Sequence, residues 1–353
     1  MRTYKPKNCV KNYRDFVLCL SNSTIKFVLY CKAIMDKILI IGAGGQIGVE
    51  LTLTLRAMYG EANVIASDLK PEPHPLLAGT GPYVQLDCLK KRQMVDVIKT
   101  NGITQVYHLA AILSATGEKR PQWAWSINMN SILLLLEIAK ERKLSKIYWP
   151  SSIAVFGPTT PKQNTRQKTI IEPTTVYGIS KYAGEQWCQY YFDKYGIDVR
   201  SIRYPGLISY KSMPGGGTTD YAVDIYHKAL QDGKYECFLS EDTYLPMMYM
   251  PDAIRATIEL MEADAAKLST RLAYNLGGMS FSPKEITASI QKHLPKFEIS
   301  YKPDFRQQIA DSWPQSIDDS VSAKDWGWKA EYDLAKMTAD MLANLKTMYS
   351  QPA

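Results

Sequence analysis

The strongest constraint on what this chain can fold into is one short stretch, Lys37-Ile38-Leu39-Ile40-Ile41-Gly42-Ala43-Gly44-Gly45-Gln46-Ile47-Gly48. Its run of branched aliphatic residues reads as a strand buried on both faces. Glycines then fall at 42, 45 and 48, and Val49 to Tyr59 continues as a helix former. The first glycine permits a tight turn, the second lets the backbone approach an anion, and the third lets helix and strand pack closely. The helix start aims its N–H groups and partial positive charge at the same point. A strand, glycine turn and helix in this order make a seat for a diphosphate.

An acid stands where a dinucleotide reading requires one. Asn63-Val64-Ile65-Ala66-Ser67 reads as a second strand, closed by Asp68, 20 residues beyond Gly48. A carboxylate there accepts the ribose hydroxyls of an adenosine and repels a 2′-phosphate, which favours NAD over NADP. Tyr83 to Asp87 is a third strand, ending in an acid placed to touch the adenine amino group. Gln105 to Ala111 is a fourth, and its terminal alanines leave room for a flat cofactor. His108 within it reads as a packed histidine, not a catalytic one.

The alternation continues. Helices are expected over Lys90–Lys99, Trp123–Arg142 and Thr175–Tyr195, and strands over Lys146–Trp149 and Val199–Tyr204. Strands alternating with helices predict a doubly wound parallel sheet of the Rossmann type. Residues 71–82 and 157–173 are proline-containing loops, and Pro214 to Asp220 is a glycine-rich loop that opens a helix. Beyond it the pattern weakens, apart from a regular helix over Pro251–Ala263. The expected organisation is therefore a dinucleotide-binding domain over 35–210, to which 247–276 returns. A smaller C-terminal substrate-binding lobe takes 211–246 and 277–345.

The net charge of +7 invites a nucleic-acid reading, but its distribution refuses one. Residues 1–34 hold seven Lys/Arg against Asp15 alone, which leaves only +1 for the other 319 residues. This N-terminal extension, basic, rich in Ser, Asn and aromatics and nearly free of acids, has the composition of a mitochondrial presequence. Two other readings are that the extension lies upstream of a working start at Met35 or that it is a disordered arm, and either would leave the protein cytoplasmic. Its apolar pieces are too short for a membrane span. Of six cysteines, Cys88, Cys188 and Cys237 lie in the body, none in a CxxC pair. The four histidines are scattered, so no metal site is legible.

The chemistry is expected at Tyr177-Gly178-Ile179-Ser180-Lys181. On a helix, i and i+4 share a face, so phenol and ammonium point the same way. An ammonium close by favours the phenolate and is expected to lower the tyrosine pKa. A phenolate so placed takes a hydroxyl proton while the hydride leaves for a cofactor. Ser151 and Ser152 end the preceding strand, where open α/β sheets place ligands. A hydroxyl there can hold the substrate oxygen against Tyr177. Two adjacent serines at a strand end also suit a turn or helix cap.

Together these residues resemble the extended branch of the short-chain dehydrogenase/reductase superfamily, over residues 35 to about 345. The matching pieces are Gly42-x-x-Gly45-x-x-Gly48, Asp68, Asp87, His108-Leu109-Ala110-Ala111, Asn128, Ser152, Tyr177-x-x-x-Lys181, Tyr204-Pro205-Gly206 and Trp326-Gly327-Trp328. Within the branch the runs Ala110 to Glu118, Phe156 to Pro161, Glu172 to Lys181 and Gly215 to Tyr221 are similar to the short-chain L-threonine 3-dehydrogenases. That resemblance implies oxidation of the C3 hydroxyl of L-threonine to L-2-amino-3-oxobutanoate with NAD, in a homodimer pairing long helices. Tyr177, Lys181 and Ser152 would be catalytic, with Ser114, Ser151, Ser152, Tyr177, Gly217 and Thr218 around the substrate. Cofactor contacts would come from Gly42, Gly45, Gln46, Ile47, Gly48, Asp68, Leu69, Asp87, Cys88, His108, Leu109, Ala110, Ala111, Asn128, Tyr177, Lys181, Tyr204 and Leu207. A nucleotide-sugar epimerase or dehydratase on the same scaffold is the alternative. Phe156, usually Tyr in those enzymes, and Tyr204-Pro205-Gly206-Leu207-Ile208, in place of their Asn-Val-x-Gly-Pro run, count against it.

Overall fold

Ile38–Ile41 forms the first strand (β1), with all four side chains buried. The computed structural model describes residues 36–213, 215 and 217–350. The readings of residues 1–34, and of Pro214 and Gly216 in the glycine-rich loop, lie outside the described residues. In chain order β1 is followed by α1 (Gln46–Tyr59), β2 (Val64–Asp68), β3 (Tyr83–Gln85), α2 (Lys91–Asn101) and β4 (Gln105–His108). Next come α3 (Ser114–Lys119), α4 (Pro121–Arg142), β5 (Lys146–Tyr148), α5 (Val176–Tyr195) and a sixth strand at Val199–Arg200. The sheet order is β3-β2-β1-β4-β5 and then Val199–Arg200, every pair parallel. The winding reverses direction between β1 and β4, which opens a crevice at the carboxyl ends of those strands.

The period-2 alternation of β1 is visible in what each side chain packs against. Ile38 and Ile40 join Val49, Leu51 and Leu55 of α1 with Ala253 and Ile254 of the helix Met250–Glu262. Leu39 and Ile41 join Met94 and Ile98 of α2, Ile132 and Leu136 of α4 and Cys188 of α5. Each face of the sheet is thus sealed by its own apolar core. A third core gathers Val223, Tyr226, Leu245, Ile286 and Met341, from the helices Tyr221–Gln231, Pro283–Gln291 and Leu334–Ser350 and the strand Leu245–Tyr249.

Two strands end sooner than their apolar runs suggest. β4 stops at His108 after a last rung from Leu109 N to Ile41 O of 2.8 Å. Residues 109–113 then leave the sheet, because the neighbouring strands β1 and β5 end at Ile41 and Tyr148 and the glycine turn begins beside them. A Cβ on Gly42 would lie 2.7 Å from Ala110 N. The expected strand 199–204 is broken at Ser201. Its second part, Ile202–Tyr204, pairs in parallel with Ser151–Ser152 on one side and Tyr274–Asn275 on the other. Pro150, which has no N–H to give a ladder, separates β5 from the two serines. The serines therefore sit on a short extension of the sheet, past its main carboxyl edge.

Candidate active site

The glycine turn is built as its spacing requires. Gly42 takes φ +85°, open to glycine at little cost, and its N–H and that of Ala43 both donate to Ser67 O at 2.9 Å. A Cβ on Gly48 would stand 2.3 Å from Gly42 O. Only glycine lets α1 start this close to β1. Beside the turn, the Asp68 carboxylate accepts from Gly44 N at 2.9 Å and from Leu69 N at 2.8 Å. Two backbone donors thus pin that carboxylate at the end of β2, against the turn.

A cleft of about 690 Å³ opens from this turn. Of the expected cofactor residues its wall includes Gly42, Gly45, Gln46, Ile47, Gly48, Leu109, Ala111, Tyr177, Lys181, Tyr204 and Leu207. The expected substrate residues Ser114, Ser151, Ser152, Gly217 and Thr218 line it too. Residues separated by up to 176 positions thus meet around one space. Ser114 Oγ lies 3.3 Å from Thr218 Oγ1, both buried, which joins the start of α3 to the glycine-rich loop.

Helix α5 carries the expected Tyr177–Lys181 pair. Thr175 caps it, its Oγ1 accepting from Gly178 N at 3.0 Å, so the first turn that holds Tyr177 is anchored. Lys181 Nζ donates to Pro150 O at 2.6 Å and lies 4.4 Å from the Trp149 ring centre and 5.5 Å from that of Tyr177. The expected lowering of the tyrosine pKa is reversed. Burial pushes Tyr177 up to about 12, with Ser152 pulling the other way, and burial takes Lys181 down to about 7, against the charges of Cys188 and Glu185. Desolvation is the dominant cause for both groups, since each charged form lacks water here.

The two serines divide their roles, as alternation along an extended segment demands. Ser152 accepts from Ala154 N at 3.2 Å. Ser151 Oγ donates to Glu185 Oε1 at 2.5 Å, so its hydroxyl is turned into the interior. Glu185, one turn beyond Lys181, is fully buried and held by Arg203 Nε at 2.9 Å and Nη2 at 2.7 Å.

Several expected cofactor contacts are absent from the cleft wall. His108 is buried, bonded through Nε2 to Ser131 Oγ at 2.8 Å, and burial lowers its pKa to about 3, which keeps it neutral. Asn128 is buried in α4 and divides its amide between the loop after β4 and α5. Its Oδ1 accepts from Ile112 N at 2.8 Å, and its Nδ2 donates to Ile112 O at 3.0 Å and Ser180 Oγ at 3.2 Å. Asn128 therefore acts on the cleft through the backbone it holds. Ala110 is packed against the glycine turn, and Leu69 is exposed beside Asp68. Asp87 caps its own loop, accepting from Leu89 N at 3.0 Å, and burial raises the thiol pKa of the adjacent Cys88 to about 11.

Other wall residues carried no sequence signal of their own. Lys211, Met213 and His74 line the cleft, as does Trp313. Among the described residues no group of three or more His, Cys, Asp or Glu could hold a metal ion. None of their helices is long and apolar enough to cross a membrane.

The model of the NAD dependent epimerase/dehydratase family matches residues 38–277, the segment that builds the turn, the sheet and α5. The chain belongs to this family. An uncharacterised epimerase/dehydratase of Staphylococcus haemolyticus is 50% identical over 309 residues, 87% of this chain and 97% of that one. The holo GalE-like L-threonine dehydrogenase of Cupriavidus necator is 60% identical, with a TM-score of 0.86 over 88% of this chain and 100% of its own. A monomeric L-threonine 3-dehydrogenase from a metagenome is 50% identical, with a TM-score of 0.85 over 88% of this chain and 99% of its own. The cofactor of this epimerase/dehydratase family member is NAD, and the residues present fit it. The seat closes if a Cβ is added at Gly42 or Gly48, and the pinned Asp68 carboxylate stands beside it to accept ribose hydroxyls.

Proposed function

We propose that this chain is an NAD-dependent L-threonine 3-dehydrogenase, converting the C3 hydroxyl of L-threonine to the ketone of L-2-amino-3-oxobutanoate. The observation that carries it is the convergence of Tyr177, Lys181 and Ser152 with Ser114, Gly217 and Thr218 on the one cleft that begins at the glycine turn. When bound, NAD accepts the hydride from C3. Tyr177 Oη takes the hydroxyl proton, so the carbon loses one hydride and one proton and the C=O bond forms. Ser152 donates to the same oxygen and holds it toward Tyr177. Lys181, hung on Pro150 O, lies on the phenol side of the cleft and, by the family likeness, reaches the nicotinamide ribose. Ser114 and Thr218, already within 3.3 Å of each other, offer hydroxyls to the polar groups of the amino acid.

With Tyr177 near 12 in the ligand-free protein, phenolate is scarce at neutral pH. Turnover should rise with pH between about 7 and 9 as deprotonation is favoured. The deciding experiment is NADH absorbance with L-threonine. Tyr177→Phe should abolish the signal while NAD still binds, and a wild type silent with threonine across that range overturns the proposal. The nucleotide-sugar alternative would show instead as thermal stabilisation by UDP-sugars and not by L-threonine.

The division into a dinucleotide-binding part (35–210, with 247–276 returning) and a lobe (211–246 and 277–345) is part of this reading. The packing of Met250–Glu262 on α1 and the separate lobe core support it. A homodimer through α4 and α5 is supported by the exposed aromatic side chains Trp123 and Trp125 on one helix and Trp187, Tyr190 and Tyr195 on the other. Mitochondrial targeting rests on the composition of residues 1–34 alone, and the Staphylococcus and Cupriavidus relatives are bacterial. Sequencing the N-terminus of the mature protein decides it: a start near Met35 in an organelle fraction supports targeting, and an intact Met1 in the cytoplasm removes it.

A further inference from the structure

Helix α1 does more than seat a diphosphate. Its first and second turns reach across to the opposite wall of the cleft. Gln46 Nε2 donates to Leu207 O at 3.5 Å. Four residues on, and so on the same helix face, Glu50 directs both carboxylate oxygens at one short segment. Its Oε1 accepts from Ser209 Oγ at 2.6 Å, and its Oε2 accepts from Lys211 Nζ at 3.2 Å. The ring closes on itself, because Ser209 Oγ accepts from Lys211 N at 3.1 Å. Glu50 is buried and does not line the cleft, whereas Lys211, Ser212 and Met213 do.

The placement is informative. Ser209 directly follows the strand Gly206–Ile208, which is held in register on Met247–Tyr249. Ser209 to Lys211 is where the chain leaves that strand, between the cleft-lining residues Gly206 and Leu207 and the cleft-lining run Lys211 to Met213. A buried carboxylate so near the diphosphate seat repels an anion unless a cation faces it, and Lys211, one-third exposed, is that cation. The ion pair thus keeps the seat compatible with negative charge and holds this stretch of wall to α1.

We propose that Glu50 is a positioning residue that ties the substrate wall at Ser209–Lys211 to the cofactor helix. Its effect is on binding of the amino acid and not on the chemical step. The substrate named here rests on the function proposed above, so one arm of the test is independent of any substrate.

The experiment uses the full-length protein, its Glu50→Gln variant and the charge-exchanged double variant Glu50→Lys/Lys211→Glu. In the absence of substrate, trypsin should cut Glu50→Gln after Lys211 at least about fivefold faster than wild type, because local opening sets the cleavage rate. With NAD saturating, Glu50→Gln should raise KM for L-threonine at least about fivefold, with kcat and the Kd for NAD within about twofold. The charge-exchanged pair should recover at least half of the lost KM effect, since the coupling lies in the pair. Cleavage after Lys211 at the wild-type rate overturns the proposal. So does a parallel loss of NAD affinity, KM and Tm, which would mark a general fault in α1. A wild type that makes no NADH from L-threonine defeats the functional reading only, and the cleavage arm then decides the role of Glu50 by itself.

Discussion

At Lys181 the surroundings dominate the side chain's own chemistry. Burial lowers its pKa to about 7, while an unfolded lysine titrates near about 10.4. Between those values the unfolded chain holds a proton that the folded chain does not, so stability rises with pH across the window. Lys181→Met lacks this term. Wild type should therefore gain in Tm over the variant from about pH 7 to about pH 9 by calorimetry, whereas parallel curves would show that the ammonium is not desolvated. Ser151 and Ser152 make a second residue-scale contrast. Ser152→Ala should lower kcat roughly 10²-fold, as loss of a donor at the reacting oxygen does. Ser151→Ala leaves Glu185 one donor short inside the protein, so it should cost about 1–3 kcal/mol of stability and leave KM for threonine nearly unchanged. A raised KM in Ser151→Ala would place that hydroxyl on the substrate instead. Neither serine's direction was readable from its type. It depends on which neighbour, Glu185 or the cleft, each side of a short strand faces.

At the scale of elements, α5 does two jobs with one face. Tyr177, Lys181 and Glu185 follow at intervals of four, running from the cleft into a buried pair with Arg203. Arg203 Nη1 also donates to Asn275 Oδ1 at 3.1 Å and to Gln167 O at 3.3 Å, which ties α5 to the short sheet and to the 157–173 loop. Glu185→Gln leaves Arg203 uncompensated and should destabilise by about 3–5 kcal/mol in denaturant titration, the usual cost of breaking one side of a buried ion pair. A loss under about 1 kcal/mol would mean that water reaches the guanidinium. The Tyr-x-x-x-Lys pair was legible from helical spacing, because i and i+4 share a face in any helix. The Glu185–Arg203 pair was not, since Arg203 arrives from another strand and nothing local marks it. The same holds for Asn128, whose amide serves Ile112, and for β4, whose apolar run outlasts the strand because its partners end at Ile41 and Tyr148.

Across the molecule, the exposed aromatic side chains of α4 and α5 set a testable expectation. If two copies pair there, Trp187→Glu should shift the mass seen by light scattering from dimer to monomer. A wild type already monomeric, like the 50% identical metagenome enzyme, removes the pairing. The sequence by itself determined the winding of the sheet, the glycine seat, the acid beside it and the placing of Tyr177 and Lys181 on one face of α5. All of these follow from local rules: a period of 2 or 3.6, a backbone approach that only glycine permits, a fixed offset along one helix. Tertiary structure alone decided which hydroxyls face the cleft, which way the pKa values of Tyr177 and Lys181 move, and that Glu50 and Lys211 meet across 161 positions of chain. Those outcomes are set by desolvation and by contacts between distant segments, and neither is encoded in the neighbourhood of any one residue.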